Sequence, residues 1–338
     1  MPGPRPLPLF LELVRRAAER DPQLGARALR GLAAYQQAHR TPNFLERPAV
    51  ARVGGATLRE CGGAGRPVVL VPSLINPPHI LDLDPETSLA AALTGSGRVL
   101  LLDWGPAQDR AELSVGEHVS ELLLPLLASA KEPPVLIGYC LGGTMALAAS
   151  ALRPVSGLVT LASPWHFSAY PQASRDALAT LWRDALPAAE RLGMLPIEVL
   201  QAAFWSLDPE RTVAKFAALA DLEPDSAELR RFVMLEDWAN GGEPLPLPAA
   251  RELIEDLFGD DRTGHGRWCL GGAAVQPPSV PMLHLTARKD RIVPAETVAP
   301  GPDLACPSGH VGMIVGRQAP EKLHRPLREW LAALPPRG

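Results

Sequence analysis

The chain has 338 residues, room for one large α/β domain with an insertion or for two smaller domains. It is 46% hydrophobic and 21% charged, with a formal net charge of −4 and scattered Lys and Arg, which speaks against a disordered chain, a nucleic-acid binder and an electrostatic membrane anchor. Its 37 prolines and 29 glycines punctuate periodic segments, and no window approaches a membrane span of about eighteen apolar residues.

Residues 10–34 predict one or two helices, with Leu11, Val14, Ala18, Leu24, Ala28 and Leu32 at helical spacing. They are expected to form an N-terminal arm; the proline-rich start before it and the short apolar run containing Glu12 read as neither signal peptide nor membrane span. Residues 50–60 predict a short strand pair. Val68–Val71 and Val99–Leu102 are continuous apolar runs, as expected of strands covered on both faces. Between them Asp84-Pro85-Glu86 opens a helix, with Asp84 as N-cap, which Gly95 and Gly97 end. Ser114 to Glu117 fits a capping box. Val135–Tyr139 and Leu158–Ala162 are further buried strands, and this alternation implies a parallel, doubly wound sheet. From about 166 to 278 the pattern turns helical, with Trp182, Trp205, Trp238 and Trp268 and no clear strand until after Gly271. The sheet resumes at Pro281, and a helix from Glu321 to Leu334, kinked at Pro326, closes the fold.

Gly138-Tyr139-Cys140-Leu141-Gly142 lies where an apolar strand meets a small-residue helix. This is the setting of a nucleophile elbow with cysteine at its centre. The flanking glycines serve a steric need, because side chains there would collide with neighbouring backbone in so sharp a turn. Asp290 follows the strand Pro281–Ala287, and His310 follows later in Pro307-Ser308-Gly309-His310. Cys140, Asp290 and His310 thus stand in the order nucleophile, acid, base of the α/β-hydrolase fold. His79, His118, His166, His265, His284 and His324 lack such context, and no histidine pair has metal-site spacing. The four cysteines (Cys61, Cys140, Cys269, Cys306) include no CxxC pair and make no disulfide framework. A reducing, cytoplasmic compartment is expected, which keeps Cys140 a free thiol.

The expected architecture is therefore an α/β-hydrolase fold, a mostly parallel doubly wound sheet with an inserted helical cap. The arm spans 1–49, the core 50–165 and 279–338, and the cap 166–278. Backbone N–H groups of Leu141 and of Ser73 or Leu74 are the expected oxyanion donors.

Five blocks resemble the polyhydroxyalkanoate synthases. They are Val71-Pro72-Ser73-Leu74-Ile75-Asn76 with its continuation through Ile80 to Leu89, Leu102-Asp103-Trp104-Gly105, the elbow through Thr144, Asp290-Arg291-Ile292-Val293-Pro294, and Ser308-Gly309-His310-Val311-Gly312. The resemblance runs from about residue 40 to 330 and is looser in the cap, where Glu236-Asp237-Trp238 matches best. Short length and the Asp-Trp-Gly block are most like the catalytic subunit of the two-component synthases. The resemblance implies polymerisation of 3-hydroxyacyl-coenzyme A, with Cys140 as nucleophile, His310 as general base and Asp290 as its partner or as an activator of the substrate hydroxyl. Asn76 would stand among the substrate-side residues. It implies no cofactor beyond the thioester substrate, a second synthase subunit, a homodimer through the cap and a polyester granule surface. Ala295 stands where the family often has Trp, and Ser73-Leu74 and Pro77-Pro78-His79 also depart from its pattern. Asp290 and His310 are only twenty positions apart. These departures concern the pocket wall and leave three readings: a synthase, a hydrolase with the same triad, and a silent relative.

Overall fold

The structure is a computed structural model and describes residues 3–40 and 47–336. The ends of the expected arm, residues 1–2 and 41–46, lie outside the described residues. Eight strands form one sheet: β1 (Ala49–Val53), β2 (Ala56–Gly62), β3 (Pro67–Val71), β4 (Arg98–Asp103), β5 (Val135–Tyr139), β6 (Gly157–Leu161), β7 (Met282–Ala287) and β8 (Asp303–Cys306). Their spatial order is β1-β2-β4-β3-β5-β6-β7-β8. The two ladders at the β1 edge are antiparallel and all others parallel. Every residue of β3, β5 and β6 is buried, which is why these strands read as unbroken apolar runs. The chain turns outward from β3 to β4 and then returns to place β5 on the other side of β3. Such a switch point opens a crevice at the strands' C-terminal ends, where α/β sheets hold their sites.

The elements follow the expected order with local corrections. The capping box at Ser114 and Glu117 is present in both directions. The helix expected to open at Asp84 instead spans Leu89–Leu93. Ser88 caps it, accepting from the Ala91 N–H at 2.9 Å and donating to Asp82 at 2.6 Å. The Asp84 carboxylate accepts from Glu86 N at 2.8 Å, closing a turn on itself. Two short ladders interrupt the region read as purely helical, Met194–Leu195 with Leu245–Pro246 and Cys269–Leu270 with Ala273–Ala274. The closing helix is broken by a wide π-helical turn over Pro320–His324, and Pro326 sits in the first turn of Arg325–Ala333, where its missing N–H costs nothing.

Contacts divide the chain at other boundaries than 49, 166 and 278. Residues of 1–43 pack with 196–242 into one compact unit, and 44–195 with 243–338 form the other. In the first unit, α1 (Leu7–Arg20) and α2 (Pro22–Gln37) meet at Asp21, whose side chain accepts from the Gln23 and Leu24 N–H groups. Phe10, Tyr35, Trp205, Phe216 and Val233 form its core. The Tyr35 hydroxyl donates to Asp237, Arg40 reaches the same carboxylate at 2.8 Å, and Lys215 pairs with buried Glu236 at 2.6 Å. Asp237 therefore ties the arm to this helical segment, and Glu236 ties two of the segment's own helices together. The second unit carries the whole sheet and the candidate site. Among the described residues no helix is long and apolar enough to cross a membrane.

Candidate active site

Cys140 sits between β5 and the helix Leu141–Leu152 with φ 56° and ψ −131°, a conformation an L-residue holds only when its surroundings impose it. The elbow glycines show what imposes it. A Cβ on Gly138 would lie 2.4 Å from Gly143 Cα, and one on Gly142 would lie 2.2 Å from the Val71 carbonyl oxygen and 2.5 Å from that of Pro72. The turn can close only against bare backbone. Cys140 N–H donates to Leu161 O at 2.9 Å, and Gly143 N–H to Cys140 O at 2.9 Å. Cys140 is half-buried, unlike buried Cys61 and Cys306. Burial pushes the Cys61 thiol up to about 12 and raises Cys306 as well, the signature of inert structural thiols.

The structure brings Asp290 and His310 to this thiol. Asp290 Oδ2 accepts from His310 Nδ1 at 2.7 Å, and Oδ1 accepts from the Ile292 and Val293 N–H groups at 2.8 and 2.9 Å. Arg288, Lys289 and Arg291 are exposed around it, yet the carboxylate side chain has 0% exposure, so it is no solvated loop charge. Three hydrogen bonds offset the cost of burying it. His310 opens the helix His310–Val315, is 8% exposed in its side chain and lies close enough to Cys140 to interact with it electrostatically. Burial opposes its imidazolium, but the charges of Cys140 and Asp290 and the bond to Asp290 outweigh burial and raise His310 to about 10.

The loop after β3 lies directly against the elbow, through the approach of Gly142 to Val71 and Pro72. Its carbonyls are held by long-range donors. Trp104 Nε1 donates to Pro72 O at 3.0 Å, Arg110 to Leu74 O at 3.3 Å and Glu243 N–H to Ile75 O at 3.0 Å. Ser73 and Leu74 are buried, and Ser73 Oγ accepts from Ile75 N at 3.4 Å. Leu141 begins the helix, so its N–H is one the helix leaves open. Ser73 and Leu74 follow Pro72 in the loop that approaches Gly142, and Asn76 lies farther along it, half-buried.

Two tyrosines were missed in the sequence. The Tyr139 ring stacks on the His310 imidazole, with centroids 4.9 Å apart and planes at 29°. Tyr170 packs against Phe167 and Phe258. Burial first, then the negative charges of Cys140 and Asp290, hold both phenols neutral. Tyr139 occupies the free position of the G-x-C-x-G pattern, and only an aromatic at that position hints at its role; Tyr170 has no sequence signal. Among the described residues no group of three or more His, Cys, Asp or Glu side chains is placed to hold a metal ion.

No family model matches the chain. Among curated proteins it is 28% identical over 289 residues to the poly(3-hydroxyalkanoate) polymerase subunit PhaC of Allochromatium vinosum, covering 78% of this chain and 80% of that one. It is also 28% identical over 293 residues to the PhaC subunit of Synechocystis, covering 79% and 77%. Among solved structures, epoxide hydrolase A from Mycobacterium thermoresistibile superposes with a TM-score of 0.55 at 18% identity, over 86% of this chain and 99% of that one, a likeness of fold alone. The resemblance seen in the five blocks thus extends over 78% of the chain, which is a relative of the poly(3-hydroxyalkanoate) polymerase subunits and an enzyme on the α/β-hydrolase fold.

Proposed function

We propose that the protein is an acyltransferase that polymerises 3-hydroxyacyl-coenzyme A thioesters through a covalent acyl group on Cys140, releasing coenzyme A. The observation that carries this reading is the chemistry of the elbow: a cysteine at the strained position, coupled electrostatically to His310, whose Nδ1 is bound by buried Asp290.

In the first half-reaction the Cys140 thiolate attacks the thioester carbonyl. A carbon–sulfur bond to Cys140 forms, the bond to coenzyme A breaks, and the departing thiolate takes the proton held by His310. One thioester replaces another at little cost, so the acyl group stays activated; a serine ester would lose that activation. The tetrahedral oxyanion falls to the N–H of Leu141 and one from Ser73 or Leu74. In the second half-reaction His310 takes the proton of a 3-hydroxyl, whose oxygen attacks the acyl-Cys140 carbonyl. The ester bond lengthens the chain, and Cys140 leaves as thiolate. Asp290 stabilises the imidazolium in both halves and fixes which ring nitrogen faces Cys140.

The test is release of coenzyme A from 3-hydroxybutyryl-coenzyme A by the purified chain, with the acyl product sized in the same tube, alone and with a candidate second subunit. Release with high-mass polyester supports the synthase. Release with free 3-hydroxybutyrate alone would replace it by a thioesterase with the same triad, and no release under either condition would count against both.

A further inference from the structure

His310 must keep two alignments at once, Nδ1 on Asp290 and the opposite edge toward Cys140, through a cycle in which the charge on Cys140 comes and goes. Asp290 grips the ring by its edge, and an edge contact leaves a ring free to tilt. Tyr139 is the group against its face: centroids 4.9 Å apart, planes at 29°, both side chains buried. Tyr139 is itself immobile. It ends β5 paired with Leu161 of β6, in the middle of the sheet. It also precedes Cys140, whose φ of 56° is set by the elbow, so thiol and ring platform turn about one shared peptide. Its hydroxyl adds a contact to His310 O at 3.4 Å, too long for a strong O–H donor.

Resting on the acyl-transfer reading above, we propose that Tyr139 is a positioning residue for the proton-transfer base, its ring face holding the His310 imidazole in register with Asp290 and Cys140. The ring matters more than the hydroxyl, because the stacking is close and the hydrogen bond is long. An aromatic face also attracts a cation, so the platform favours the protonated ring that acylation needs. The charged and titratable groups acting on His310 are Cys140 and Asp290, and Tyr170 feels the same pair.

The test compares full-length wild type, Tyr139→Phe and Tyr139→Leu. Iodoacetamide alkylation of Cys140 is followed against pH by the mass of the Cys140 peptide, which sets aside exposed Cys269. Coenzyme A release is measured beside it. Phe is expected to keep the wild-type pH profile. Leu is expected to slow Cys140 alkylation about tenfold at neutral pH and to move its midpoint upward. Leu also removes buried volume, so Tyr139→Met, which fills more of that volume without a ring face, is measured with it, and thermal midpoints report the fold. An unchanged profile in either folded variant overturns the proposal, and so does a Phe variant as impaired as Leu, which would move the role to the hydroxyl. Alkylation needs no acyl substrate. It therefore decides the role of Tyr139 even where wild type releases no coenzyme A, an outcome that counts against the synthase reading alone.

Discussion

The elbow and the loop after β3 face the same crevice and are built by opposite means. Residues 138–143 are shaped by their own backbone: glycines 138 and 142 leave no room for a Cβ, and Cys140 has nowhere else to go. The loop 72–76 has no such internal constraint. Its carbonyls are held one by one by Trp104, Arg110 and Glu243, which lie 32, 36 and 168 positions downstream of their respective acceptors. Arg110 is 3% exposed and also bonds Gly105 O and His118. Burial pushes its pKa down, yet a guanidinium stays charged at any working pH, so this is a buried cation spent on orienting peptides. A nucleophile can be set by local sterics; oxyanion donors must be aimed by the rest of the fold.

Substitutions in the elbow and in the contacts of the β3 loop should act differently. The largest effect is expected from Cys140→Ala, which should abolish covalent acylation and coenzyme A release while leaving the thermal midpoint near wild type. Asp290→Asn comes next. It removes the anion facing His310 and should slow turnover roughly a thousandfold, with Cys140 acylation partly spared in a single-turnover assay. Gly142→Ala tests the steric half: with the new methyl 2.2 Å from a backbone oxygen, the elbow and the β3 loop must part, and turnover should fall about a hundredfold. Arg110→Met tests the other half. It strips the donors from Leu74 O and Gly105 O and should lower stability by about 1–3 kcal/mol in urea unfolding. Turnover should fall more than the alkylation rate of Cys140, since donors are disturbed and the thiol is not. Equal losses in both rates would mean that Arg110 supports the elbow as well.

The smallest effect is on stability against pH. His310 is raised from 6.5 to about 10, so the stabilisation it supplies is complete below about 6.5 and is lost as pH climbs through about 10. The thermal midpoint should fall by a few degrees over that window. Cys140→Ala, lacking one of the charges that raise His310, should flatten the fall; an unaltered slope would leave Asp290 as the main cause.

Much of this was legible in the chain. Buried parallel strands have no polar face, so β3, β4, β5 and β6 stood out as apolar runs, and the elbow could be read because its requirement for glycine is met within five residues. Less could be read where local chemistry offers two solutions. Asp84 and Ser88 are both good caps, and Ser88 wins because its hydroxyl also reaches Asp82, which Arg47 grips at 2.8 Å. β8, with half its residues exposed at the sheet edge, has no apolar run to announce it. The segment 166–278 looked continuous because helical periodicity says nothing of which unit a helix packs into, and 196–242 found its core with α1 and α2.

Within the sequence lay the order of the buried strands, the place of the turn at Cys140, and the three residues able to carry nucleophile, base and acid. Each follows from constraints acting within a few residues: pleat burial, turn sterics, the chemistry of a side chain. Tertiary structure alone decided that Asp290 is fully enclosed rather than solvated, that His310 lies face-on to Tyr139, and that three distant donors set the carbonyls of the β3 loop. Those are contacts between residues tens to hundreds of positions apart. They exist only once the sheet has brought the ends of β3, β5 and β7 to one edge.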